Sequence, residues 1–548
     1  MKPQPTHRWD RETTLVSQLA AGASLLAFLF YFRRGDLLLY GDAVAHINIA
    51  RRVFDSQTPG LLQLGTVWLP FPHLLIIPFL LSDSAWQTGI GGAIPSLCAY
   101  VLGTAGVFRL VRGALSFPSE PEPAARIAAW LAAVIYAANP NLVYLQTTAM
   151  TEALYLALFI WAVVHFSEFV QALATSDADA AGSSLAKCGL CLAGACLTRY
   201  DGWFLAVAIG LAVSVVVLRW DGDRKTLRPA FAKFVLLTVA APALWLGYNT
   251  IIYRNPLEFA NGPYSAKAIE QKSATAGRPG HPGSDNLPVA FSYFLKAAEL
   301  NMAEGGLQKL WVALLVAGAL IVFVLNLRLW PLLMLCLPLP FYVLSVAYGG
   351  VPIFLPEWWP FSYYNTRYGM QLLPAFAVFT AITTYFAFRR TQIRSARIAV
   401  GLAPVLLLVV SYGLIWRAQP ICYREAWVNS RSRAALETEL AANLILLPHG
   451  STFLMYLGDH VGALQRARIP LSRTINEGNH RPWKKPTDLE GLWERALADP
   501  RHYVDYVVAM DGDPVATGAQ KGDLDSVVVI RTLGQPAATV YWTHRPPR

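Results

Sequence analysis

The sequence has few charged residues. Asp, Glu, Lys and Arg make up 15% of its 548 residues, whereas soluble domains have about 25%. Hydrophobic residues make up 55% of the chain. This balance excludes an ordinary soluble protein. It predicts a polytopic membrane protein, because apolar runs near the ~20 residues of a spanning helix recur along the chain.

The sequence also lacks a disulfide framework, an internal repeat and low-complexity segments. Five of its six cysteines lie in apolar runs, and the CxxC formed by Cys188 and Cys191 falls within one of them, so we interpret these thiols as packing residues. Nothing in the sequence indicates a nucleic-acid partner. We attribute the net charge of +10 to basic cytoplasmic loops facing anionic membrane lipid.

Eleven apolar runs predict membrane-spanning helices. A further run at 69–82 is shorter and begins with Pro70 and Pro72, which favours a re-entrant or interfacial helix. The predicted spans lie near residues 14–32, 89–108, 124–140, 152–171, 185–199, 202–219, 231–252, 307–327, 329–349, 367–387 and 398–416.

The distribution of basic residues predicts the orientation. Cytoplasmic loops are enriched in Lys and Arg, and a cytoplasmic N-terminus places most basic loops inside. The first outer loop, with its four arginines, is an exception. We predict an uncleaved N-terminal anchor in the inner or plasma membrane and an extracytoplasmic C-terminal tail. The basic residues counted as inside are Lys2, Arg8, Arg11, Arg109, Arg112, Arg224, Lys225, Arg228, Arg389, Arg390, Arg394 and Arg397.

The composition changes near residue 417, which predicts two domains. Residues 1–416 form the membrane bundle, with long outer loops at 33–88 and 253–306. Residues 417–548 form a small soluble extracytoplasmic α/β domain. Its predicted elements are helices near 433–447 and 486–498 and strands near 452–457, 503–509, 526–531 and 538–542.

Two acidic residues lie at the outer ends of predicted spans. A charge at membrane depth is energetically costly, so each of these residues is a candidate functional residue. Asp42, in "YGDAVAHINIARR", is four residues before His46, so the two share a helix face. Glu152, in "TTAMTEALY", starts a span. Each acid has an alternative as a helix cap, Glu152 together with Thr151. Arg51 either binds phosphate or extends to the interface.

Two arginines occupy similar positions. Arg199, in "CLTRYDGW", either pairs with Asp201 in a turn or binds a phosphate that arrives from the lipid. Arg367 opens a span at its N-terminus, where the helix dipole disfavours a cation, and an anionic ligand would explain it.

Weaker candidates for substrate binding are His46, Lys267 and Tyr364, and Tyr364 also fits an ordinary interface belt of aromatic residues. His46 and His73 together with the acids leave a divalent metal open as a cofactor. Two acids and two arginines on one side of the membrane suit the transfer of a group from a lipid phosphate. A base takes the acceptor proton, and cations stabilise the leaving phosphate.

The order of these motifs resembles the C-type polytopic membrane glycosyltransferases, in the branch of protein O-mannosyltransferases and lipid A aminoarabinose transferases. The resemblance covers roughly residues 30–416. Two departures are Trp68-Leu69-Pro70 in place of a Lys-Pro-Pro and Glu152 in place of an Asp. The matching stretches are "GDAVAHINIAR", "WLPFPHLLIIPF", "TEALYL", "LTRYDG" and "TRYGMQLLPA".

The resemblance implies a polyprenyl-phosphate sugar donor, an acceptor hydroxyl on a protein, lipid or glycan, and inverting transfer of a hexose or pentose on the outer face. It implies that Asp42 is the general base and that Glu152 orients the substrate or helps to hold a metal. Arg199 and Arg367, with Arg51 as a helper, would then neutralise the donor phosphate.

A transporter or flippase of a lipid-linked or anionic substrate is the alternative class. Such a protein would have ionisable residues near the middle of spans, paired broken helices and an inverted repeat. The charges here lie near span ends and no repeat is present, which favours an enzyme. The sequence does not separate a monosaccharide transferase from an oligosaccharide ligase.

Overall fold

The computed structural model describes residues 10–117, 122–222, 224–263, 265–268, 280–458, 460–480, 490–522 and 524–545. In these ranges the protein is a helical, multi-pass membrane protein with a small C-terminal sheet. The helices are α1 Arg11–Arg34, α2 Gly41–Arg52, α3 Pro70–Ile76, α4 Asp83–Thr88, α5 Ile90–Ser116, α6 Pro123–Ala137, α7 Pro140–Leu145, α8 Glu152–Ala174, α9 Ala178–Cys196, α10 Asp201–Arg219, α11 Arg224–Tyr253, α12 Glu258–Asn261, α13 Leu287–Met302, α14 Leu307–Leu320, α15 Pro338–Tyr348, α16 Leu373–Arg390, α17 Arg394–Ala418, α18 Ile421–Ile445, α19 Gly462–Ala467, α20 Leu492–Ala498, α21 Pro500–Tyr503 and α22 Pro514–Lys521.

Helices lie at all eleven positions where the apolar runs predict spans, and within the described residues nine of them are long and apolar enough to cross a membrane. The other two are α6, which has 15 residues, and α9, whose first half contains Asp179 and Lys187. The short run at 69–82 forms α3 and continues as a 3-10 helix to Leu80, too short to span. The orientation of the termini stays a prediction.

The sequence does not predict the long helix α13. Residues 253–306 are predicted to form an outer loop, but α13 occupies the second half of that segment. The Asn286 side chain caps α13 by accepting a hydrogen bond from the backbone N–H of Val289, and Pro288 lies in its first turn. The turn-forming residues before it obscured this helix, and residues 269–279 lie outside the described residues.

The C-terminal part contains a five-stranded sheet in the order β2-β1-β3-β5-β4. Strand β1 pairs in parallel with β2 and with the central strand β3, while β5 is antiparallel to β3 and β4. The four predicted strands are present, and the two-residue β2 was missed because it is too short to show a pattern. The strands are β1 Phe453–Met455, β2 Thr474–Ile475, β3 Tyr506–Met510, β4 Asp525–Ile530 and β5 Ala538–Trp542.

The C-terminal part holds the segment around α2 in place. The Asp55 carboxylate accepts hydrogen bonds from the backbone N–H groups of Leu471 and Ser472, at 3.2 and 2.9 Å. On the other side of α2, Arg433 of α18 donates to the carbonyl oxygens of Leu38 and Leu39. Contacts before and after α2 therefore fix this helix, which contains Asp42.

A close backbone contact positions the segment that contains Arg367. Residues Thr366–Leu372 form a 3-10 helix that packs against α13. A Cβ at Gly369 would lie 2.4 Å from the carbonyl carbon and oxygen of Ala297, so only glycine fits. The Asn301 side chain also donates to the carbonyl oxygen of Thr366 at 2.9 Å.

We predict that Gly369→Ala lowers the free energy of unfolding by about 1–3 kcal/mol, because the added methyl group meets backbone atoms that cannot rotate away. Chemical unfolding in detergent, followed by tryptophan fluorescence, measures the change. Gly210→Ala in α10 is the matched control, since open space surrounds that position. Equal stability of the two variants would show that the segment is not held by this contact.

Candidate active site

The Arg367 guanidinium lies at the centre of a buried ionic cluster and contacts three carboxylates. Its Nη2 atom is 2.5 Å from Oδ2 of Asp42, and its Nε atom is 3.1 Å from Oε1 of Glu152. Its Nη1 atom is 2.9 Å from Oε1 of Glu425. The two acids predicted from the sequence therefore meet at one arginine, together with a third acid.

Glu425 is a residue of this cluster that the sequence does not single out. It lies in the first turns of α18, and 1% of its side chain is exposed. Its second oxygen, Oε2, accepts hydrogen bonds from the backbone N–H and the hydroxyl of Thr366. The pattern that could have revealed it is an acid among residues of the buried helix face, since Cys422 and Ala426 beside it are also buried.

Arg199 joins the same cluster from the turn between α9 and α10. Its Nη1 atom donates to Oε1 of Glu152 and to the hydroxyl of Thr151, at 3.3 and 3.1 Å. Its Nη2 atom donates to the Tyr342 hydroxyl at 2.9 Å, and that hydroxyl donates to Asp201. The predicted turn contact with Asp201 is also present, at 3.4 Å from Nε. Glu152 thus bridges the two arginines.

The structure does not support the alternative in which Asp42 and Glu152 serve as helix caps. Tyr40 is the N-cap residue of α2 and Thr151 that of α8, and neither helix start has a side-chain capping bond. Within the described residues, the hydrogen bonds of the Asp42 and Glu152 side chains go to the arginines. These acids bind guanidinium groups rather than free backbone N–H groups.

The cluster has more acids than bases. Four carboxylates, those of Asp42, Glu152, Asp201 and Glu425, surround two guanidinium groups. Arg367 also lies over the Tyr40 and Tyr368 rings, and Arg199 over Tyr368. A phosphate that reaches these arginines therefore meets cations that already have anionic partners. It must replace one of those partners or share them.

His46 lies one turn after Asp42 and forms a buried pair with His73. The His46 Nδ1 atom is 2.8 Å from His73 Nε2, and the Trp68 ring packs against His46. Burial lowers the pKa of His46 to about 3, with smaller contributions from Arg367 and Arg199. Burial also lowers the pKa of His73. Both imidazoles are therefore neutral at pH 7, and His46 lies within electrostatic range of the arginines.

The structure does not bring Arg51 into the cluster. Arg51 pairs with Asp55 and Asp83, at 2.8 and 2.6 Å, and donates to the carbonyl oxygen of Leu80. Its guanidinium also lies over the Trp86 ring. These contacts tie the C-terminal end of α2 to α4. Neither of the alternatives proposed for Arg51, a phosphate site or an interfacial position, accounts for these contacts.

The two remaining candidates lie at the surface. Tyr364 is 44% exposed, pairs through its backbone with Phe354, and lies within electrostatic range of Asp42. Lys267 is exposed in the segment after α12. Tyr364 borders the cluster, whereas no described contact connects Lys267 to it.

The described residues do not favour a metal site. No group of three His, Cys, Asp or Glu side chains in that part of the chain is arranged to hold a metal ion. His46 and His73 bond to each other, and the acids bond to arginines. The chemistry available at the site is therefore that of carboxylates, guanidinium groups and neutral imidazoles.

The fold is shared with known membrane transferases. ArnT from Cupriavidus metallidurans, in a crystal structure bound to undecaprenyl phosphate, superposes with a TM-score of 0.56 and 15% identity over 97% of this chain and 99% of that chain. ArnT in the apo state gives a TM-score of 0.53 at 15% identity, over 97% of this chain and 98% of that chain.

The archaeal oligosaccharyltransferase AglB from Archaeoglobus fulgidus, in complex with an inhibitory peptide and a dolichol-phosphate, is also similar. Its TM-score is 0.51 at 14% identity, over 96% of this chain and 74% of that chain. No protein-family model and no curated protein matches the sequence. The chain has the fold of the C-type polytopic membrane glycosyltransferases, which confirms the fold that the sequence resemblance implied.

We predict that Glu425→Gln lowers the free energy of unfolding by about 2 kcal/mol, since a buried hydrogen bond to a charged group contributes this much. The amide still accepts a hydrogen bond from Thr366 but no longer offers Arg367 a negative charge. Chemical unfolding in detergent measures the loss. Glu439→Gln, on the exposed face of the same helix, should leave stability unchanged. A loss of the same size in both variants would contradict a buried ionic role for Glu425.

The histidine pair predicts a pH dependence. The folded-state pKa of His46 is about 3, below the ordinary value of 6.5, so the unfolded chain binds more protons between these pH values. Stability should therefore fall as the pH falls from 6.5 to 5, by up to about 1.4 kcal/mol per pH unit for one histidine. His46→Gln should flatten this slope in pH-dependent unfolding, whereas exposed His449→Gln should not. An unchanged slope in His46→Gln would contradict burial of a neutral imidazole.

Proposed function

We propose that the protein is an integral membrane glycosyltransferase that moves a sugar from a polyprenyl-phosphate donor to an acceptor hydroxyl on the outer face of the membrane. One observation carries this proposal. Two arginines and four carboxylates meet at helix ends, and the predicted base, Asp42, is their exposed member, at 38% of its side chain. Two proteins with the same fold bind undecaprenyl phosphate and a dolichol-phosphate, which supports a donor of this class.

The proposed reaction is a single displacement. The acceptor hydroxyl oxygen attacks the anomeric carbon while Asp42 takes the hydroxyl proton. The bond between the anomeric carbon and the phosphate oxygen breaks, and its electron pair stays on that oxygen. One displacement inverts the anomeric centre. Asp42 ends protonated, and the polyprenyl phosphate leaves with one more negative charge.

The arginines stabilise the developing charge. Arg367 and Arg199 present guanidinium groups at a partly desolvated site, where electrostatic stabilisation of a leaving phosphate is stronger than in water. Glu152 contacts both guanidinium groups and so sets the distance between them. Glu425 holds Arg367 from the opposite side. In this proposal Asp42 reacts, the arginines bind, and the two glutamates position the arginines.

The position of the cluster supports an enzyme over a transporter. Glu152 and Asp201 each begin a helix, and Arg367 lies at the start of the 3-10 helix that precedes α16. Ionisable residues that line a transport path lie instead near the bilayer midplane. We propose that the cluster is on the outer side and the N-terminus in the cytoplasm. The donor sugar is a hexose or pentose, and the acceptor is a protein, lipid or glycan.

We predict that wild-type protein in nanodiscs releases radiolabelled sugar from at least one member of a panel of polyprenyl-phosphate hexoses and pentoses. Asp42→Asn should reduce release by at least about 100-fold, because a positioned general base contributes 100- to 10,000-fold. Asp285→Asn is the control. That carboxylate is exposed, and its residue has a positive φ of 56° that asparagine also adopts.

Full release by Asp42→Asn would exclude Asp42 as the base. If wild-type protein releases sugar from none of the donors, with acceptors of all three classes present, the proposal that it is a glycosyltransferase would be overturned. Thermal unfolding of each variant separates a chemical effect from loss of fold.

A further inference from the structure

The three carboxylates that contact Arg367 differ in exposure. The side chain of Glu152 is 0% exposed and that of Glu425 is 1% exposed. The side chain of Asp42 is 38% exposed. A ligand that arrives from outside therefore reaches Asp42, and the Nη2 atom of Arg367 behind it, before it reaches the other two contacts.

The carboxylates also differ in how firmly they are held. Glu425 has two hydrogen bonds from Thr366 besides the one from Arg367. Glu152 accepts from Arg199 as well as from Arg367. Among the described residues, Asp42 has one hydrogen-bond partner, Nη2 of Arg367. Asp42 is thus the partner that can leave while Arg367 stays in place.

The backbone of α2 need not move for Asp42 to leave. Contacts of Arg51 and Asp55 fix the end of this helix, and Arg433 holds the residues just before it. Asp42 lies in the first turn, so rotation of its own side chain is enough to break the contact with Arg367.

We infer that the Asp42 carboxylate occupies the donor-phosphate position on Nη2 of Arg367 until the donor binds, and that donor binding displaces it. This inference rests on the proposed function. One anion replaces another, so Arg367 keeps three anionic partners throughout. The donor phosphate binds first, and the base becomes available only when the donor is in place.

Displacement also changes the chemistry of Asp42. While Asp42 is paired with Arg367, its Oδ2 atom accepts a hydrogen bond from Nη2 of that guanidinium. Separation from Arg367 frees this oxygen to accept the proton of an acceptor hydroxyl. The same side chain therefore competes with the phosphate for Arg367 before the reaction and accepts a proton during it.

The inference predicts opposite effects of one substitution on binding and on turnover. Asp42→Asn and Asp42→Ala remove the competing anion, so each should bind a sugar-free polyprenyl phosphate more tightly than wild type. If the phosphate position is free about one-tenth of the time in the wild type, the gain is about tenfold. Turnover of the sugar donor should fall in the same proteins. Binding is measured with radiolabelled polyprenyl phosphate and protein in nanodiscs.

Two comparisons make the test specific. Asp285→Asn removes an exposed negative charge elsewhere and should bind like wild type. Adding Arg367→Gln to Asp42→Asn should abolish the gain in affinity for polyprenyl phosphate, because the guanidinium for which Asp42 and the phosphate compete is gone. Size-exclusion profiles and thermal unfolding show that each variant is folded before binding is measured.

Several outcomes would overturn the inference. Equal or weaker binding by both Asp42 variants would mean that Asp42 only holds Arg367, and failure of every variant to bind would exclude this phosphate site. Loss of turnover without a gain in affinity would overturn the displacement of Asp42 by the donor phosphate. It would leave the proposed glycosyltransferase function standing. A gain in affinity without sugar release from any donor would overturn the proposed function. It would leave the displacement of Asp42 by a phosphate standing.

Discussion

Burial of the Arg367 guanidinium is the constraint on which the site depends. Taking an ion out of water costs several kcal/mol, and close ionic partners must offset that cost. The partners come from α2, from the start of α8 and from α18. These elements are far apart in the sequence, so the ends of the bundle and the C-terminal part must meet at one point. Arg199 and Glu152 extend the same requirement to the turn before α10.

Much of the fold could be predicted because apolar runs identify spanning helices without knowledge of their neighbours. The helix α13 could not, because the turn-forming residues before it dominate the local pattern. In the site, Asp42, Glu152, Arg199 and Arg367 were predicted because a charge at a span end is costly. Glu425 was missed because it follows the last span, where acids are common. The position of Arg51 outside the cluster could not be predicted, because spacing alone does not reveal Asp55 and Asp83 as its partners.

The exposures of the cluster explain how one site can be held firmly and still contain one carboxylate that is able to change partners. Glu152 and Glu425 are buried and multiply bonded, so they fix the arginine. Asp42 is partly exposed and bonded once, so it is the group able to change partners. A phosphate that approaches four carboxylates is repelled unless one of them moves away. The acidic excess therefore favours exchange over simple addition.

The position of Glu425 bears on how such proteins diversify. The composition of the chain changes near residue 417, which looks like a natural junction for exchanging the C-terminal part between relatives. The junction is misleading, because a chimera joined there would replace a partner of Arg367 along with the tail. To preserve the site, the crossover point between two recombined sequences must lie after the first turns of α18. The rest of the tail can then be exchanged while its first helix stays with the membrane bundle.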